Sequence, residues 1–287
     1  MATLREIKRR AKSVKNISQI TSAMQMVAAS KMKKAQDKAT RFMPYAQKIA
    51  EAVGDLSTGV DSNLHSLLSK GNPESNRELI LLISTNKGLC GGLNSSLFRA
   101  IKQWYPDLKK HESITVGKKG QSFVRSNQLQ LIADFSDGAP ADNVVALSQY
   151  AVEGFLAGNY SKVVVAYNKF VNSFTQEPTK LDLLPIAKFE TDQAKSDEDD
   201  AFFDFLIEPS PLEVLNALLP EYIENIIRAA ALSAEASEYS ARMMAMKNAT
   251  DNAEELQSDL TLEYNKMRQS EITTSLQDMV TARMAVV

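Results

Sequence analysis

Apolar and small residues recur at alternating steps of three and four along the first part of the chain. They fall at Leu4, Ile7, Ala11, Val14, Ala28, Met32, Ala35, Ala39, Phe42, Ala46, Ile49, Val53 and Leu56. This alternation is the heptad pattern of a helix that packs along a second helix. Because residues 1–43 contain neither Gly nor Pro, the pattern predicts one long helix over residues 1–58, kinked near Met43 by Pro44.

The C-terminal end of the chain has the same character. Residues 221–287 contain neither Gly nor Pro, and Pro211 stands where a proline can begin a helix. We therefore predict a second long helix over residues 211–287. Residues 1–58 hold 12 Lys and Arg against 4 Asp and Glu, whereas residues 211–287 hold 6 against 12. Opposite charge favours pairing of the two helices, and antiparallel pairing is the simplest geometry because other residues separate them along the chain. The alternative is that each packs separately on a globular core.

The two helices differ in predicted length. If Pro44 lies opposite Ile223, about twenty residues at the C-terminal end extend past the start of the first helix. This end is apolar at Ile272, Leu276, Met279, Val280 and Met284. A helix with such a face and no partner helix in its own chain needs an outside partner.

One stretch of the first helix departs from the heptad pattern. Its heptad positions hold Ser18, Thr21 and Gln25. The apolar residues lie one position earlier, at Ile17, Ile20, Met24 and Val27, and Met26 and Ala29 add apolar surface. Either the helix carries an extra apolar face, whose methionines suit changing neighbours, or the coiled coil contains a stutter.

Between the helical ends, short apolar runs alternate with amphipathic stretches. The strand candidates are Leu79–Ser84, Ile114–Val116, Leu129–Ile132 and Lys162–Tyr167. The helix candidates are Asn94–Trp104 with an Asn or Ser cap, residues 118–126 and Asp142–Leu156. The alternation predicts a small, mostly parallel, Rossmann-like sheet in an α/β domain over residues 77–208. The predicted fold class is thus α/β, with this domain inserted between the helices of a long antiparallel coiled coil.

A glycine-rich loop, Asn86–Asn94 (NKGLCGGLN), follows the first predicted strand. A phosphate-binding loop ends in Gly-Lys-Ser/Thr, and a dinucleotide-binding loop has glycines at its first, third and sixth positions. This loop has neither feature, so a nucleotide site is poorly supported, and no histidine is placed to activate Cys90. The alternatives are a tight strand-to-helix turn packed against another backbone, or a surface on which Lys87 contacts a carboxylate of a partner.

Composition argues against disulfides, metal sites and membrane spans. Cys90 is the only cysteine, which excludes a disulfide framework and is typical of a reducing compartment. His65 and His111 stand in no metal-ligand spacing, and the acidic stretch Glu190–Asp200 is interpreted as a solvated loop. No apolar run approaches the roughly 18 residues of a membrane span. The basic start of the chain is interpreted as mature helix, because its periodicity continues past Glu6.

Three segments carry a resemblance to a known family. Ile20–Gln36 (ITSAMQMVAASKMKKAQ), Asn86–Asn94 and Ala241–Thr273 (ARMMAMKNATDNA…LTLEYNKMRQSEIT) closely resemble the gamma subunits of F-type, rotary ATP synthases. The resemblance implies a coiled-coil shaft, one copy per complex, within a ring of three alpha and three beta subunits. It places the α/β domain beside the epsilon subunit and the membrane c-ring.

The resemblance also implies a function. Proton flow through the c-ring turns the shaft, which drives the beta subunits through their catalytic states. The chain would bind no cofactor, metal or nucleic acid, would not insert into the membrane, and would be peripheral on the cytoplasmic face of a bacterial plasma membrane. The competing hypotheses are a nucleotide-dependent enzyme with helical arms and a coiled-coil scaffold that forms a symmetric homodimer.

Several residues match positions at which the family contacts its partners. The implied contacts with beta subunits are Met24, Lys87, Arg242, Arg268, Gln269 and Thr273. Met24 and Arg242 match the positions that lie near acidic loops of the beta subunits. Glu208 matches the foot that faces epsilon and the c-ring. Asn86 and Lys87 stand where the family usually has Asp and Arg, and Ser275 stands where it usually has Glu. Lys cannot form the bidentate contact that Arg forms, so the contact at Lys87 is expected to be weaker or differently paired.

Overall fold

The computed structural model describes residues 3–58, 66–68, 75, 77–138, 140–186 and 208–285. His65 and the acidic stretch Glu190–Asp200 lie outside these residues. The chain divides into two compact units, one formed by Met1–Ala29 with Arg242–Val287 and the other by Ser30–Ala241. The two long terminal helices contribute residues to both units, so each unit is described by itself.

The predicted terminal helices are present. Helix α1 spans Leu4–Thr58 and continues through Pro44. Thr3 and Glu6 cap its start, because the Thr3 N–H donates to Glu6 Oε2 at 3.0 Å and the Glu6 N–H donates to Thr3 Oγ1 at 3.3 Å. Helix α5 spans Pro211–Ala285.

The larger unit contains a five-stranded sheet. In chain order its elements are β1 (Glu78–Ile83), α2 (Leu93–Trp104), β2 (Glu112–Val116), α3 (Lys118–Ser126), β3 (Gln130–Asp134), α4 (Val144–Leu156), β4 (Lys162–Phe170) and β5 (Gln176–Leu184). Two short 3₁₀ turns, Leu108–Lys110 and Pro140–Asn143, precede β2 and α4. The strand order is β3-β2-β1-β4-β5, and only β5 runs antiparallel to its neighbour. The prediction of a mostly parallel sheet is confirmed.

Successive residues of β1 point to opposite faces of the sheet and build two cores. Ile80 and Leu82 pack with α2 and α3. Leu79, Leu81 and Ile83 pack on the other face, together with α4 and the parts of α1 and α5 that belong to this unit. Since β1 is apolar on both faces, helices must cover it on both sides.

Strand β5 was not among the predicted elements. Its sequence, QEPTKLDLL, contains a proline and places polar residues along a sheet edge, where its middle is half-exposed. An edge strand lacks the continuous apolar run that marks β1 and β4, and proline is tolerated there because one side of the strand has no ladder partner.

Within the smaller unit, α1 keeps its heptad seam through the irregular stretch. Ser18 is buried with 8% of its surface exposed, and Thr21 and Gln25 are half-buried, while Ile17 and Ile20 are exposed. The stutter interpretation is therefore wrong. Polar residues occupy the seam, and the neighbouring apolar residues point away from it.

The helix segments of the smaller unit run antiparallel. The hydroxyl oxygens of Thr21 and Thr250 lie 2.7 Å apart. Counting three residues in each direction from this pair puts Met24 level with Lys247. This is about one turn from Met243, the level that follows from placing Pro44 opposite Ile223. The seam of α5 ends at half-buried Met267, and each described side chain after it is exposed. This agrees with the predicted overhang.

Candidate partner-binding surfaces

The loop after β1 holds Lys87 at the carboxyl edge of the sheet. Lys87 is exposed. Its carbonyl oxygen accepts a hydrogen bond from Thr85 Oγ1 at 2.9 Å. Asn86 Oδ1 accepts from the N–H of Lys118 at 3.1 Å, and Asn86 Nδ2 donates to the carbonyl of Gly138 at 3.4 Å. An Asp at this position could accept the first bond but could not donate the second, so Asn86 ties the loop to two neighbours.

Gly88 and Gly92 of this loop are not packed against another backbone. A Cβ atom on Gly88 or Gly92 would meet nothing within 4 Å. The close approach lies instead at α3, where a Cβ on Gly117 would lie 2.3 Å from the Ser84 carbonyl oxygen and one on Gly120 would lie 2.7 Å from Ser84 Oγ. The predicted packing against another backbone is therefore wrong for Gly88 and Gly92.

The predicted cap of α2 is also wrong. The N-cap residue is Gly92, which has no side chain to cap the helix. Asn94 lies inside the first turn, and its Nδ2 donates to Thr85 Oγ1 at 2.7 Å and approaches Cys90 Sγ at 3.4 Å. Cys90 is buried. The side chain of Asn94 thus joins the two ends of the loop.

The cavity beneath this loop is too small for a nucleotide. Its volume is about 10 Å³, and Ser84, Thr85 and Asn168 line it together with residues of α5. This volume holds about one water molecule, whereas small-molecule sites occupy roughly 300 Å³ or more. Over the described ranges, no group of three or more His, Cys, Asp and Glu side chains could hold a metal ion.

Helix α1 presents an apolar surface beside its polar seam. Ile17, Ile20, Met26 and Val27 are all more than half exposed, and Met24 is half-buried at the border. Arg242 on α5 keeps only 9% of its surface exposed. Of the two residues predicted near acidic loops of a partner, Met24 therefore offers accessible surface, and Arg242 offers only an edge.

The end of α5 presents polar and apolar side chains together. Arg268, Gln269 and Thr273 are exposed, as are Ile272 and other apolar residues of this segment. Thr273 Oγ1 donates to the Gln269 carbonyl at 2.8 Å. Because this bond uses its only proton, the Thr273 hydroxyl can accept from a partner but not donate to it. Glu208, which shortly precedes α5, is exposed.

Titratable side chains with shifted pKa values gather at the opposite edge of the sheet. Burial lowers the pKa of His111, whose Nδ1 accepts from the Glu78 N–H at 3.2 Å. Burial, followed by the hydrogen bond to Glu78, raises the pKa of Tyr105. Tyr160 donates to Glu112 at 2.6 Å, and its pKa is raised first by burial and then by this bond.

Sequence reasoning missed this cluster, because its members are scattered along the chain. Glu78 and Glu112 begin the neighbouring strands β1 and β2, and their carboxylates accept from tyrosines of later segments. Lys180 lies 3.6 Å from Glu78 Oε2 and 4.5 Å from the centre of the Tyr105 ring. These contacts link side chains of different segments at the amino edge of the sheet.

The chain matches one family along its length. A family model described as ATP synthase matches residues 3–286. The chain is 38% identical to the ATP synthase gamma chain of Roseiflexus sp. (strain RS-1), over 100% of this chain and 99% of that one. It is 40% identical to the ATP synthase gamma chain of Akkermansia muciniphila, over 100% of each chain.

Solved structures of ATP synthases also contain chains that align with this one. A chain of the central stalk and c-ring of the Tetrahymena thermophila mitochondrial ATP synthase aligns with a TM-score of 0.59 at 28% identity, over 80% of this chain and 99% of that one. A chain of the Euglena gracilis mitochondrial ATP synthase aligns with a TM-score of 0.67 at 19% identity, over 99% of this chain and 94% of that one. The second likeness concerns the fold alone.

Two long terminal helices and an α/β domain inserted between them define a subunit of the central stalk of a rotary ATPase. The chain belongs to the ATP synthase gamma-chain family. It is a non-catalytic subunit of the F-type ATP synthase rotor. No helix among the described residues is both long and apolar enough to cross a membrane.

Proposed function

We propose that this chain is the turning shaft that couples proton flow through a membrane c-ring to the catalytic beta subunits. The observation that carries this proposal is the end of α5, where described side chains beyond Met267 are exposed on a regular helix. An α-helix with exposed apolar residues such as Leu276 and Met279 requires a surrounding partner. A sleeve of alpha and beta subunits, three of each, supplies one.

The contacts with beta subunits are assigned to a small set of side chains. Lys87, Arg268, Gln269 and Thr273 are exposed and polar, so they can form hydrogen bonds at some angles of rotation and release them at others. Met24 supplies an adaptable apolar contact. The small exposed fraction of Arg242 limits it to a contact at the edge of an acidic loop.

The foot of the shaft is assigned to the neighbourhood of Glu208. This exposed carboxylate, close to the start of α5, suits basic or polar groups of an epsilon subunit or of c-ring loops. The curated relatives named above are bacterial, which supports a peripheral position on the cytoplasmic face of a bacterial plasma membrane. The coupled ion is taken to be the proton.

The polar contacts are tested by Arg268→Ala in the assembled complex. We expect coupled ATP turnover or assembly to fall about tenfold, because a charge-assisted hydrogen bond to a beta subunit is lost, while the helix content of the purified chain stays unchanged. Arg99→Ala is the matched control, since Arg99 is exposed on α2, away from the assigned contacts. Loss of helix content in Arg268→Ala, or equal effects of the two variants, would contradict the assignment.

A further inference from the structure

The tip of the hairpin between β4 and β5, residues 171–175, presents an aromatic side chain to solvent. Phe174 is 79% exposed, the highest value among the large apolar side chains that the structure describes, and Val171 beside it is also exposed. Covering a Phe side chain removes about 150–250 Å² of surface from water. Single exposed apolar residues are common, but the contacts around Phe174 hold this one in place.

The turn fixes Phe174 in its exposed position. Asn172 Oδ1 accepts hydrogen bonds from the N–H groups of Phe174 and Thr175, at 2.9 and 2.8 Å. The N–H of Val171 donates to the carbonyl of Thr175 at 3.3 Å. Because these bonds hold the backbone on both sides of Phe174, the ring is presented on an ordered turn.

Three serines of α5 form hydrogen bonds with the backbone of the hairpin. Ser233 Oγ accepts from the Phe170 N–H at 2.9 Å, and Ser237 Oγ donates to the Asn168 carbonyl at 2.9 Å. Ser240 Oγ donates to the Ser173 carbonyl at 2.8 Å. Their spacing of four and three residues puts all three on one helix face. A force on the tip is therefore passed directly to α5.

A cationic stretch of α1 borders the tip. Ser173 Oγ lies 4.0 Å from Met32 Sδ, and exposed lysines flank Met32. Lys31 lies over the Tyr239 ring, with Nζ 5.3 Å from its centre. Lys33 and Lys34 are also exposed. Residues 31–38 of α1 hold four lysines and one acidic residue, Asp37, so this stretch of the helix carries a net positive charge.

We propose that the hairpin tip binds an acidic segment of a neighbouring subunit. An apolar side chain of that segment covers Phe174, and its carboxylates face Lys33, the exposed neighbour of Met32. Aromatic residues, Phe among them, are enriched in protein-binding interfaces, and a positively charged surface attracts an acidic partner. An anionic membrane would also attract the lysines, but stable adsorption needs a broad apolar helix face, and the tip offers one ring. Because the segment is sought in the assembled ATP synthase, the assignment rests on the proposed function.

Photo-crosslinking tests the contact. A benzophenone amino acid replaces Phe174 in the purified complex, and mass spectrometry identifies the captured peptide after irradiation. We expect a peptide of another subunit with more Asp and Glu than Lys and Arg. Lys33→Glu should lower the crosslinking yield about fivefold or more, because it reverses a charge at the contact. The control Lys109→Glu, at the opposite edge of the sheet, should leave the yield unchanged.

Other captures would overturn the assignment. These are a lipid, a second copy of this chain, a peptide without acidic residues, or no product. The same probe at Arg268 separates the two proposals. If position 268 captures a beta subunit and position 174 captures no acidic peptide, the hairpin assignment is wrong and the proposed function stands. If the unsubstituted chain does not assemble with alpha and beta subunits, the proposed function itself is wrong.

A second measurement covers the case in which the bulky probe prevents assembly. Phe174→Ser should lower the protons pumped per ATP hydrolysed about twofold or more, and Phe174→Met should restore them, because Met keeps the apolar contact. Leu156→Ser is the matched control, since Leu156 is an exposed apolar residue at the opposite edge of the sheet. Unchanged pumping in Phe174→Ser would overturn the assignment.

Discussion

Ser84 shows how a single residue positions the loop that carries Lys87. Its hydroxyl accepts from the N–H of Gly120 at 2.7 Å and donates to the carbonyl of Gly117 at 3.1 Å. This close contact joins the end of β1 to the start of α3, where Gly117 has a φ of +109°. A side chain at Gly117 or Gly120 would clash with Ser84, whereas Gly88 in the loop has open space around it.

Gly117→Ala should therefore destabilise the chain by at least about 2 kcal/mol. The new Cβ would lie 2.3 Å from the Ser84 carbonyl oxygen, at a φ that L-residues rarely adopt. Gly88→Ala, the matched control, should change the free energy of unfolding by no more than about 0.5 kcal/mol. Urea unfolding of the full chain measures both variants. Equal losses would mean that the loop after β1 is packed as tightly as the start of α3.

At the scale of elements, the polar seam of α1 and α5 can be rearranged at little cost. The hydroxyl oxygens of Thr21 and Thr250 lie together, but each also lies within hydrogen-bonding distance of a carbonyl of its own helix, Ile17 at 3.0 Å and Met246 at 2.9 Å. Separating the two hydroxyls would therefore leave neither without a partner. A shaft that must twist under load benefits from such a seam.

The double variant Thr21→Val, Thr250→Val should be as stable as the parent chain or more stable, within about 1 kcal/mol. Replacing both partners of a hydrogen bond by apolar groups of the same shape leaves no buried polar group unsatisfied. Ile7→Thr, the reverse change at a buried position of the same seam, should cost about 1–3 kcal/mol. Thermal and urea unfolding test this. A loss above about 2 kcal/mol in the double variant would mean that the hydroxyl pair holds the helices together.

Periodicity predicted the elements that are strongly periodic or fully buried. The heptads gave α1, and the apolar runs gave β1 and β4, because burial on both faces leaves a clear signal. The edge strand β5 has no such signal. The role of Asn94 could not be predicted from its neighbours in sequence. Its side-chain amide donates to Thr85, nine residues away, instead of capping α2 as expected. The exposure of Ile17 and Ile20 depends on which face of α1 packs on α5. The heptad pattern alone did not decide this, because polar residues occupy the heptad positions of that stretch.

At the scale of the whole molecule, the assigned contacts form no active site. Lys87 belongs to the larger unit, and Arg268, Gln269 and Thr273 belong to the smaller one. Each is an exposed side chain on a loop or helix that the fold holds in place. Tyr105, His111 and Tyr160, whose pKa values are shifted first of all by burial, lie at the amino edge of the sheet and not among these contacts. This distribution suits a subunit that transmits force between partners.

Rotation of this chain inside its complex tests the central claim most directly. Cys90 is buried, so Lys109→Cys at an exposed position provides a site for attaching a bead. The alpha and beta subunits are fixed to a surface, and the bead is followed by microscopy after ATP is added. We predict that the bead rotates stepwise in one direction. It should pause at three equivalent angles per turn, because three beta subunits act in sequence. Hydrolysis of ATP by the same complexes with no rotation of the bead would contradict it.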